Sequence, residues 1–572
     1  VIERQRDDLD VPPEPDTAQK PPVAKDDTFG ARPGRDNVLP VRLNDSDPNG
    51  DPLLIASVSK IPVEQGVLAI VDNGQKVQFT PRADATGSVQ FTYTINDGRG
   101  APAEGKVDVR LVPSTENEAP QQARPTKTSV ALDGRVSTAV LGDWVDPESD
   151  PFYLVSAGAD APNSASSTPD GTVDFTQGGG QPGVDPVRVR VSDGKAVGDG
   201  TLNVTVGAKG QTPLIAENYT VTAYAGNEIV TLPVEASRGG TGEITLARAE
   251  AVDGAAKDLS ITETYTDGRV RITPKTAGSH LITYAVKDDN QQAVGTIRVV
   301  AMEAPSGAKD PIVSPTTAFL YVDNSTDVDV LANAFDPGGN VLSISGVQTP
   351  PAGSGVVVEV IDREHLRVLL GKDMEKPLTL KVTVSNGTSS TDGEVVLVNV
   401  PEPTKLQPPV ARDDVVSARA GEIVDIAVLA NDTQPDGKPI SLSRELVAAP
   451  KSGLMVVAGD RLRFLAPDAP GSYTARYQIS SADSLTATGT VKIQVRPVDT
   501  AGNRAPSAPT VTSRTTSGQS VTVPIPVIGA DPDGDSVKVA GIVDQPRQGS
   551  VVKFVDDAIV YTANPATSGD DS

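Results

Sequence analysis

The sequence predicts an all-β chain, a tandem array of antiparallel β-sandwich domains of which the last is truncated. An acidic turn recurs along the 572 residues, with the residue before its proline at positions 47, 146, 336, 434 and 531. Short runs that alternate between apolar and polar residues follow each turn, as in half-buried strands. The intervals between the turns are 99, 190, 98 and 97 residues. Because the long interval is close to two short ones, we expect a degenerate repeat within it.

Two further landmarks recur in each repeat. One is an alternating strand that ends in a polar turn, at residues 91–98, 187–194, 282–288, 380–387 and 475–480. The other is an alternating run that closes the repeat, at 107–111, 202–206, 297–299, 396–400 and 491–495. Alternation with a period of two places the apolar side chains on one face of a sheet. No segment sustains a helical period, so we expect a fold that is largely free of helices.

The landmarks divide the chain into a terminal segment and six repeats. Residues 1–19 are a linker or tail, and the repeats span 20–113, 118–208, 211–302 (degenerate), 308–401, 407–497 and 503–572 (incomplete). The sixth repeat should lack its last two strands, since Ser572 matches Gln90 of the first. The polar start without Met indicates an internal fragment. The linkers are short and marked by proline, so we expect an elongated chain with little contact between non-adjacent domains.

Charge and composition exclude several function classes. The formal net charge is −25 and the pI about 4.5, so phosphate backbones and anionic lipids are repelled and cations attracted. Absence of cysteine excludes disulfides and thiolate sites. No apolar stretch reaches the roughly 18–20 residues of a membrane span. We therefore expect neither nucleic-acid binding nor membrane insertion within this segment.

One motif extends the similarity between repeats. Pro-Pro-Val-Ala-Lys-Asp-Asp at 21–27 returns as Pro-Pro-Val-Ala-Arg-Asp-Asp at 408–414. Together with the acidic turn and the strand ending in Asn-Asp-Gly, this resembles the bacterial Ig-like and cadherin-like tandem repeats of large surface proteins. The resemblance covers nearly the whole chain and is closest in repeats one, five and six. It implies an extracellular stalk or adhesin, with calcium binding in some members.

The acidic turns are the sequence's candidate metal sites. Carboxylate and amide oxygens on alternate residues suit Ca²⁺, which takes six to eight oxygen ligands. The candidate calcium ligands are Asp45, Asp47, Asn49, Asp51 and the later Asp97 in the first repeat, and Asp531, Asp533 and Asp535 in the sixth. The alternative is ordinary turn chemistry, in which Asp side chains bond their own backbone. If calcium binds, we expect weak binding confined to these two repeats.

Catalysis has little support in the sequence. The two histidines, His280 and His365, fall in different repeats, so no histidine-based dyad or triad can recur. We therefore expect no catalytic residues, no cofactor-binding residues and no enzyme activity. The single tryptophan, Trp144, is expected to pack in a core or shield a joint between domains.

Two functions remain open at this stage. The first is an extracellular or cell-surface structural stalk or adhesin region of a large bacterial protein, non-catalytic, whose partner is an unidentified protein or glycan ligand. The second is an accessory or spacer region of a large secreted enzyme whose catalytic domain lies outside this segment. The sequence contains no feature that separates the two.

Overall fold

The fold is taken from a computed structural model of the chain. It describes the following residues: 20–208, 213–240, 244–252, 257–264, 268–288, 290–303, 309–374, 376–401, 406–498, 505–506, 511–527, 530–531, 537–555 and 558–571. Strands form six successive groups, which we name units 1 to 6. The exact first and last residues of each repeat remain a prediction from the sequence.

Unit 1 is a sandwich of two sheets. Its strands are β1 (Asp27–Ala31), β2 (Asn37–Leu39), β3 (Leu54–Val58), β4 (Gly66–Val71), β5 (Lys76–Pro81), β6 (Ser88–Asn96) and β7 (Ala103–Leu111). One sheet has the order β1-β7-β6-β3, the other β2-β5-β4. Alternating residues of both sheets, such as Phe79 and Tyr93, meet in one buried core.

Units 2 and 3 repeat this arrangement and each adds a two-stranded sheet. Unit 2 contains β8 (Gln121–Gln122), β9 (Thr126–Ala131), β10 (Arg135–Ala139), β11 (Trp144–Val145), β12 (Tyr153–Gly158), β13 (Ser164–Ser167), β14 (Thr172–Thr176), β15 (Gly183–Ser192) and β16 (Val197–Gly207). Unit 3 contains β17 (Leu214–Ala216), β18 (Tyr219–Tyr224), β19 (Ile229–Thr231), β20 (Ser237–Gly239), β21 (Thr245–Ala251), β22 (Leu259–Thr264), β23 (Val270–Pro274), β24 (Gly278–Lys287) and β25 (Gln292–Met302). The four-stranded sheets are β12-β15-β16-β9 and β18-β25-β24-β21.

Units 4 and 5 follow the same plan. Unit 4 contains β26 (Ile312–Val313), β27 (Thr316–Leu320), β28 (Asn324–Val328), β29 (Ala334–Phe335), β30 (Ser343–Val347), β31 (Val356–Ile361), β32 (His365–Leu370), β33 (Leu378–Ser385) and β34 (Ser390–Asn399). Unit 5 contains β35 (Asp414–Arg419), β36 (Ile423–Ile426), β37 (Ile440–Leu442), β38 (Leu454–Ala458), β39 (Arg461–Leu465), β40 (Gly471–Ser481) and β41 (Thr486–Arg496). Each of these units has its own buried cluster.

Unit 6 contributes one three-stranded sheet to the described part of the chain. Its strands are β42 (Ser520–Pro524), β43 (Gly549–Val555) and β44 (Ala558–Ala563). The described residues contain no α-helix; short 3₁₀ helices lie at Leu141–Asp143 and Leu331–Asn333. The predicted all-β tandem fold is therefore confirmed. None of the described helices could cross a membrane.

The four-stranded sheets of units 1 to 5 differ from the prediction in one respect, because they are not wholly antiparallel. In each, the first long strand pairs in parallel with the last, as β1 does with β7 from Asp27↔Val107 to Ala31↔Leu111. The other four pairs are β9 with β16, β18 with β25, β27 with β34 and β35 with β41. Both strands run in the same direction because the chain enters each unit at one end and leaves at the other.

A glycine on the last strand makes room for the largest core side chain. The register pairs Tyr93 with Gly105, and a Cβ at that glycine would lie 2.6 Å from the tyrosine ring. The same position recurs as Gly200, Gly295, Gly393 and Gly489. In unit 2 the space is filled by Trp144, which is 2% exposed, so its predicted role in core packing is confirmed.

The expectation that non-adjacent domains barely touch is wrong for this structure. Arg298 of unit 3 donates to the carbonyl oxygen of Pro52 in unit 1 at 2.9 Å. The rings of Tyr153 in unit 2 and Phe319 in unit 4 lie 6.0 Å apart. The negative net charge does not keep these units apart, because the charge is distributed unevenly over the chain. Single arginines such as Arg298 pack beside the acidic turns of other units.

Candidate cation sites and buried carboxylates

Asp45 of unit 1 belongs to a hydrogen-bond network in the core. The hydroxyl of Tyr93 lies 3.0 Å from both Asp45 carboxylate oxygens and 3.0 and 3.1 Å from the carbonyl oxygens of Lys25 and Val41. Asp45 Oδ1 additionally accepts the amide N–H of Lys25 at 2.9 Å. Asp45, a predicted calcium ligand, thus holds the segment at the start of unit 1 next to the core tyrosine.

Unit 5 contains the same network. The hydroxyl of Tyr477 lies 3.2 and 3.1 Å from the Asp432 oxygens and 2.9 Å from the carbonyl oxygen of Arg412. The Arg412 amide donates to Asp432 Oδ1 at 2.8 Å. The motif shared by residues 21–27 and 408–414 therefore has a structural explanation, since it brings this segment onto the tyrosine and the turn aspartate.

The second aspartate of that motif is held in an unfavourable environment. Burial, and after it the neighbouring Asp45 carboxylate, raises the pKa of Asp27 to about 7. In unit 5, burial likewise raises the pKa of Asp414 to about 7, and Asp432 contributes in the same direction. Two carboxylates that share one buried tyrosine favour a proton on one of them.

A separate cluster forms from the other acidic residues of unit 1. Asp47, Asp51 and Asp97 each place a carboxylate oxygen within 4.8 Å of the others. Asp47 Oδ1 accepts the amides of Asn49 and Asp51, and Asp97 Oδ1 accepts those of Arg99 and Gly100 at 2.8 Å each. The second oxygens of Asp47 and Asp97 are buried without a hydrogen-bond partner.

The remaining predicted ligands have other surroundings. The Asn49 side-chain oxygen accepts the amide of Lys20 at 2.9 Å. Arg99 Nε lies 3.3 Å from Asp51 Oδ1, so one ligand already contacts a cation. In unit 6, Asp531 is buried, whereas Asp533 and Asp535 lie outside the described residues.

Unit 2 has an acidic cluster that the sequence analysis did not single out. Asp146 and Glu148 are buried and the Asp150 side chain is 12% exposed, with one oxygen of each residue within 4.8 Å of the others. Burial raises the pKa of Asp146 to about 7. The backbone amides of Asp150 and Glu148, which donate to its carboxylate, act in the opposite direction and lower the pKa. The signal was present, because the turn Asp-Pro-Glu-Ser-Asp carries three carboxylates at alternate positions.

In units 4 and 5, amide or ammonium groups of the chain itself occupy the position where a cation could bind in the same turn. In unit 4, Asn386 stands where unit 1 has Asp97, and its amide donates to Asp336 Oδ1 at 2.9 Å. In unit 5 the positions of Asp47 and Asp51 are Gln434 and Lys438, and Lys438 pairs with Asp483 at 2.9 Å. The acidic clusters are thus a property of particular units.

The two histidines lie in separate units. His280, in β24, is buried with Nε2 2.8 Å from the carbonyl oxygen of Thr276. His365 begins β32 of unit 4. The structure therefore does not place them on one core.

The comparison with protein families assigns the class of the units. The model of the bacterial Ig domain matches residues 19–110, 117–207 and 406–494. Units 1, 2 and 5 are thus similar to bacterial Ig domains. The predicted resemblance is confirmed, and the matched units include both units that share the tyrosine and paired-aspartate network. Tandem Ig-like domains are typically non-catalytic. No curated protein matches the sequence.

Solved structures with several domains in series are also similar. The first four extracellular domains of Drosophila N-cadherin are 12% identical over 65% of this chain and 99% of that one, with a TM-score of 0.21. Eight Ig domains of Down syndrome cell adhesion molecule are 11% identical over 96% and 71%, at 0.20. An endo-fucoidan hydrolase of glycoside hydrolase family 107 is 14% identical over 49% and 43%, at 0.17. This chain thus spans less than half of the hydrolase, and TM-scores this low carry no argument about function.

Proposed function

We propose that this chain is a load-bearing, non-catalytic region of a bacterial surface protein. It would act as an extracellular stalk or adhesin whose ligand is an unidentified protein or glycan. The parallel pair of first and last strands in units 1 to 5 carries this proposal. Five residue pairs join these strands in units 1 and 4, and six in units 2, 3 and 5.

The mechanical argument follows from the direction of the strands. Tension on the two ends of a unit pulls β1 and β7 lengthwise past each other. All hydrogen bonds of the pair are then loaded together, whereas strands pulled apart from one end would lose them one at a time. No sheet in the described part of the chain is shared between units, so we expect the contacts between non-adjacent units to open before any unit unfolds.

Pulling the chain by its ends in a force microscope should therefore give a series of similar unfolding steps. Each step should lengthen the chain by about 300 Å, since about 95 residues extend at roughly 3.4 Å each. Thr128→Pro should lower the force of one step, because proline removes an N–H that faces β16 from the middle of β9 and opposes the pairing of these two strands.

The matched control is Thr128→Ala, which keeps the backbone N–H. If Thr128→Pro and Thr128→Ala chains unfold at the same forces, the terminal strand pair bears no load and the proposal fails. The same strand arrangement is compatible with a spacer in a secreted enzyme. The presence of a catalytic domain in the full reading frame would favour that alternative.

We further propose a weak calcium site in unit 1, formed by Asp47, Asp51 and Asp97. The buried second oxygens of Asp47 and Asp97 support it, because a carboxylate oxygen buried without a partner is costly. Asp45 is not part of this site, since its oxygens bond Tyr93 and the Lys25 amide.

Calcium at about 1 mM should slow amide hydrogen exchange at residues 47–51 and 97–100. For a dissociation constant of about 10⁻⁴–10⁻³ M, the added stability is about 0.4–1.4 kcal/mol. Asp47→Ala should abolish the effect. The turn at 434–438 of unit 5 is the internal control, because Gln434 and Lys438 replace two of the carboxylates. Equal exchange in calcium and in chelator would leave ordinary turn chemistry as the explanation.

A further inference from the structure

The junction of units 1 and 2 contains the acidic cluster of unit 2, formed by Asp146, Glu148 and Asp150. Glu148 is 0% exposed and Asp146 is 4% exposed. The third member, Asp150, is contacted by two arginines of unit 1, with Arg32 Nη2 at 2.6 Å and Arg35 Nη2 at 2.8 Å. The Lys195 ammonium lies 3.9 Å from Asp150 Oδ2, so all three of these cations pair with Asp150, and none of them forms a hydrogen bond to Asp146 or Glu148.

Two carboxylate oxygens in this cluster have no donor. Asp146 Oδ1 accepts the amides of Glu148 at 3.0 Å and Asp150 at 2.8 Å, whereas its Oδ2 is buried and unpartnered. Glu148 Oε2 accepts the amide of Glu118 at 3.1 Å, whereas its Oε1 is also buried and unpartnered. Two such oxygens in one small space point to a missing positive charge.

The two arginines also bond carbonyl oxygens, whereas Arg35 Nε is buried without a partner. Besides Asp150, Arg32 donates to the carbonyl oxygen of Pro113 at 2.5 Å, and Arg35 donates to that of Ser149 at 2.9 Å. Each carboxylate oxygen has two lone pairs, so Asp150 can contact the arginines on one side and a further cation on the other.

Unit 4 provides the contrasting case at the same turn. There, Asp336 Oδ1 accepts the Asn386 amide at 2.9 Å, and Asp336 Oδ2 accepts the Asn340 amide group at 2.8 Å. Where the chain has amides, both oxygens of the turn aspartate are satisfied internally. In unit 2 the corresponding residues are Asp193 and Asp150, which can supply no donor.

We infer that Asp146, Glu148 and Asp150 bind a divalent cation of the calcium type. Hard oxygen ligands from two or three carboxylates, completed by water, suit such an ion. The ion would link the turn of unit 2 to the linker through Glu148 and the Glu118 amide, and to Arg32 and Arg35 of unit 1 through Asp150. It thereby fixes the orientation of unit 2 on unit 1. The site is independent of the one proposed in unit 1.

Terbium luminescence offers a selective test, because Trp144 is the only tryptophan of the chain and lies two residues before Asp146. Tb³⁺ has the oxygen preference of Ca²⁺ and emits when a nearby indole transfers energy to it. The full chain is titrated with Tb³⁺ and excited at the red edge of indole absorption, where tyrosine does not absorb. We expect sensitised emission that saturates and that calcium displaces.

Glu148→Gln keeps the size of the side chain and should weaken Tb³⁺ binding at this site about tenfold or more. Asp199→Asn, an exposed substitution in the same unit, is the matched control and should bind like the wild type. Trp144 emission without Tb³⁺ checks that unit 2 of each variant is folded. Asp47→Asn should lower the total calcium bound without changing the Trp144-sensitised signal, so the two sites succeed or fail separately. Wild-type emission no stronger than that of Glu148→Gln, or emission that calcium cannot displace, would overturn the inference.

Discussion

Gly200→Ala should destabilise unit 2 by about 2 kcal/mol, although it adds only a methyl group. A Cβ at this position would lie 2.5 Å from the Trp144 ring and 2.7 Å from Gln122 Oε1. Neither neighbour can yield easily, because Trp144 is buried in the core and Gln122 Oε1 accepts the amide of Thr201 at 3.0 Å. The methyl group must therefore displace the ring, the glutamine or the strand itself.

Trp144 also makes this measurement specific. Its fluorescence during denaturant unfolding of the whole chain reports unit 2 alone, since no other unit contains tryptophan. Gly158→Ala is the matched control, because it lies in β12 of the same unit and a Cβ there meets nothing within 4 Å. We expect Gly158→Ala to be neutral or to stabilise by about 0.5 kcal/mol. Equal midpoints for the two variants would mean that Gly200 does not make room for Trp144.

Tyr477→Phe should destabilise unit 5 by about 2–3 kcal/mol at neutral pH. The change removes the hydroxyl that donates to Asp432 and approaches the carbonyl oxygens of Arg412 and Val428. It leaves two buried carboxylates without their shared donor. Hydrogen exchange of β40 and β41, compared with that of unit 1 in the same sample, measures the loss. Unchanged protection in these strands would contradict the proposed role of the network.

The same network predicts how unit 5 responds to pH. The pKa of Asp414 is raised to about 7 in the folded chain, above its ordinary value near 4 in the unfolded chain. The folded state therefore binds more protons between these values, and stability falls as pH rises from about 4 to about 7. Asp414→Asn should remove this dependence and stabilise unit 5 by about 1 kcal/mol near pH 8, because an amide replaces a repelled carboxylate. Asp413→Asn is the neighbouring control, since Asp413 Oδ1 already accepts the amide of Thr490.

The sequence predicted the fold class and the repeated turns because both depend on local patterns. Alternation of apolar residues identified the strands, and proline with aspartate identified the turns. The parallel pairing of β1 with β7 was missed, since it joins residues 80 positions apart and has no local signature. The spacing of the five glycines on the last strands was visible, but its meaning depends on which residue lies across the sheet.

The candidate sites show a similar division. Asp45, Asp47 and Asp51 look equivalent in sequence. In the structure Asp45 bonds the hydroxyl of the core tyrosine, whereas the other two cluster with Asp97. The pairing of Val23 with Ser46 fixes this division by placing the segment before β1 against the turn. The cluster of unit 2 was missed because burial, rather than the number of carboxylates, distinguishes it from a solvated turn.

The distance along the chain between β1 and β7 also affects how the protein is made. A unit emerging from a ribosome or an export channel presents its first long strand some 80 residues before the partner strand appears. Until β7 arrives, neither β1 nor β6 has this partner strand, and a strand of the neighbouring unit with a similar pattern could pair with either of them. The sequence differences between successive units therefore serve synthesis as much as the finished molecule, because they disfavour pairing of one unit's opening strand with its neighbour's closing strand.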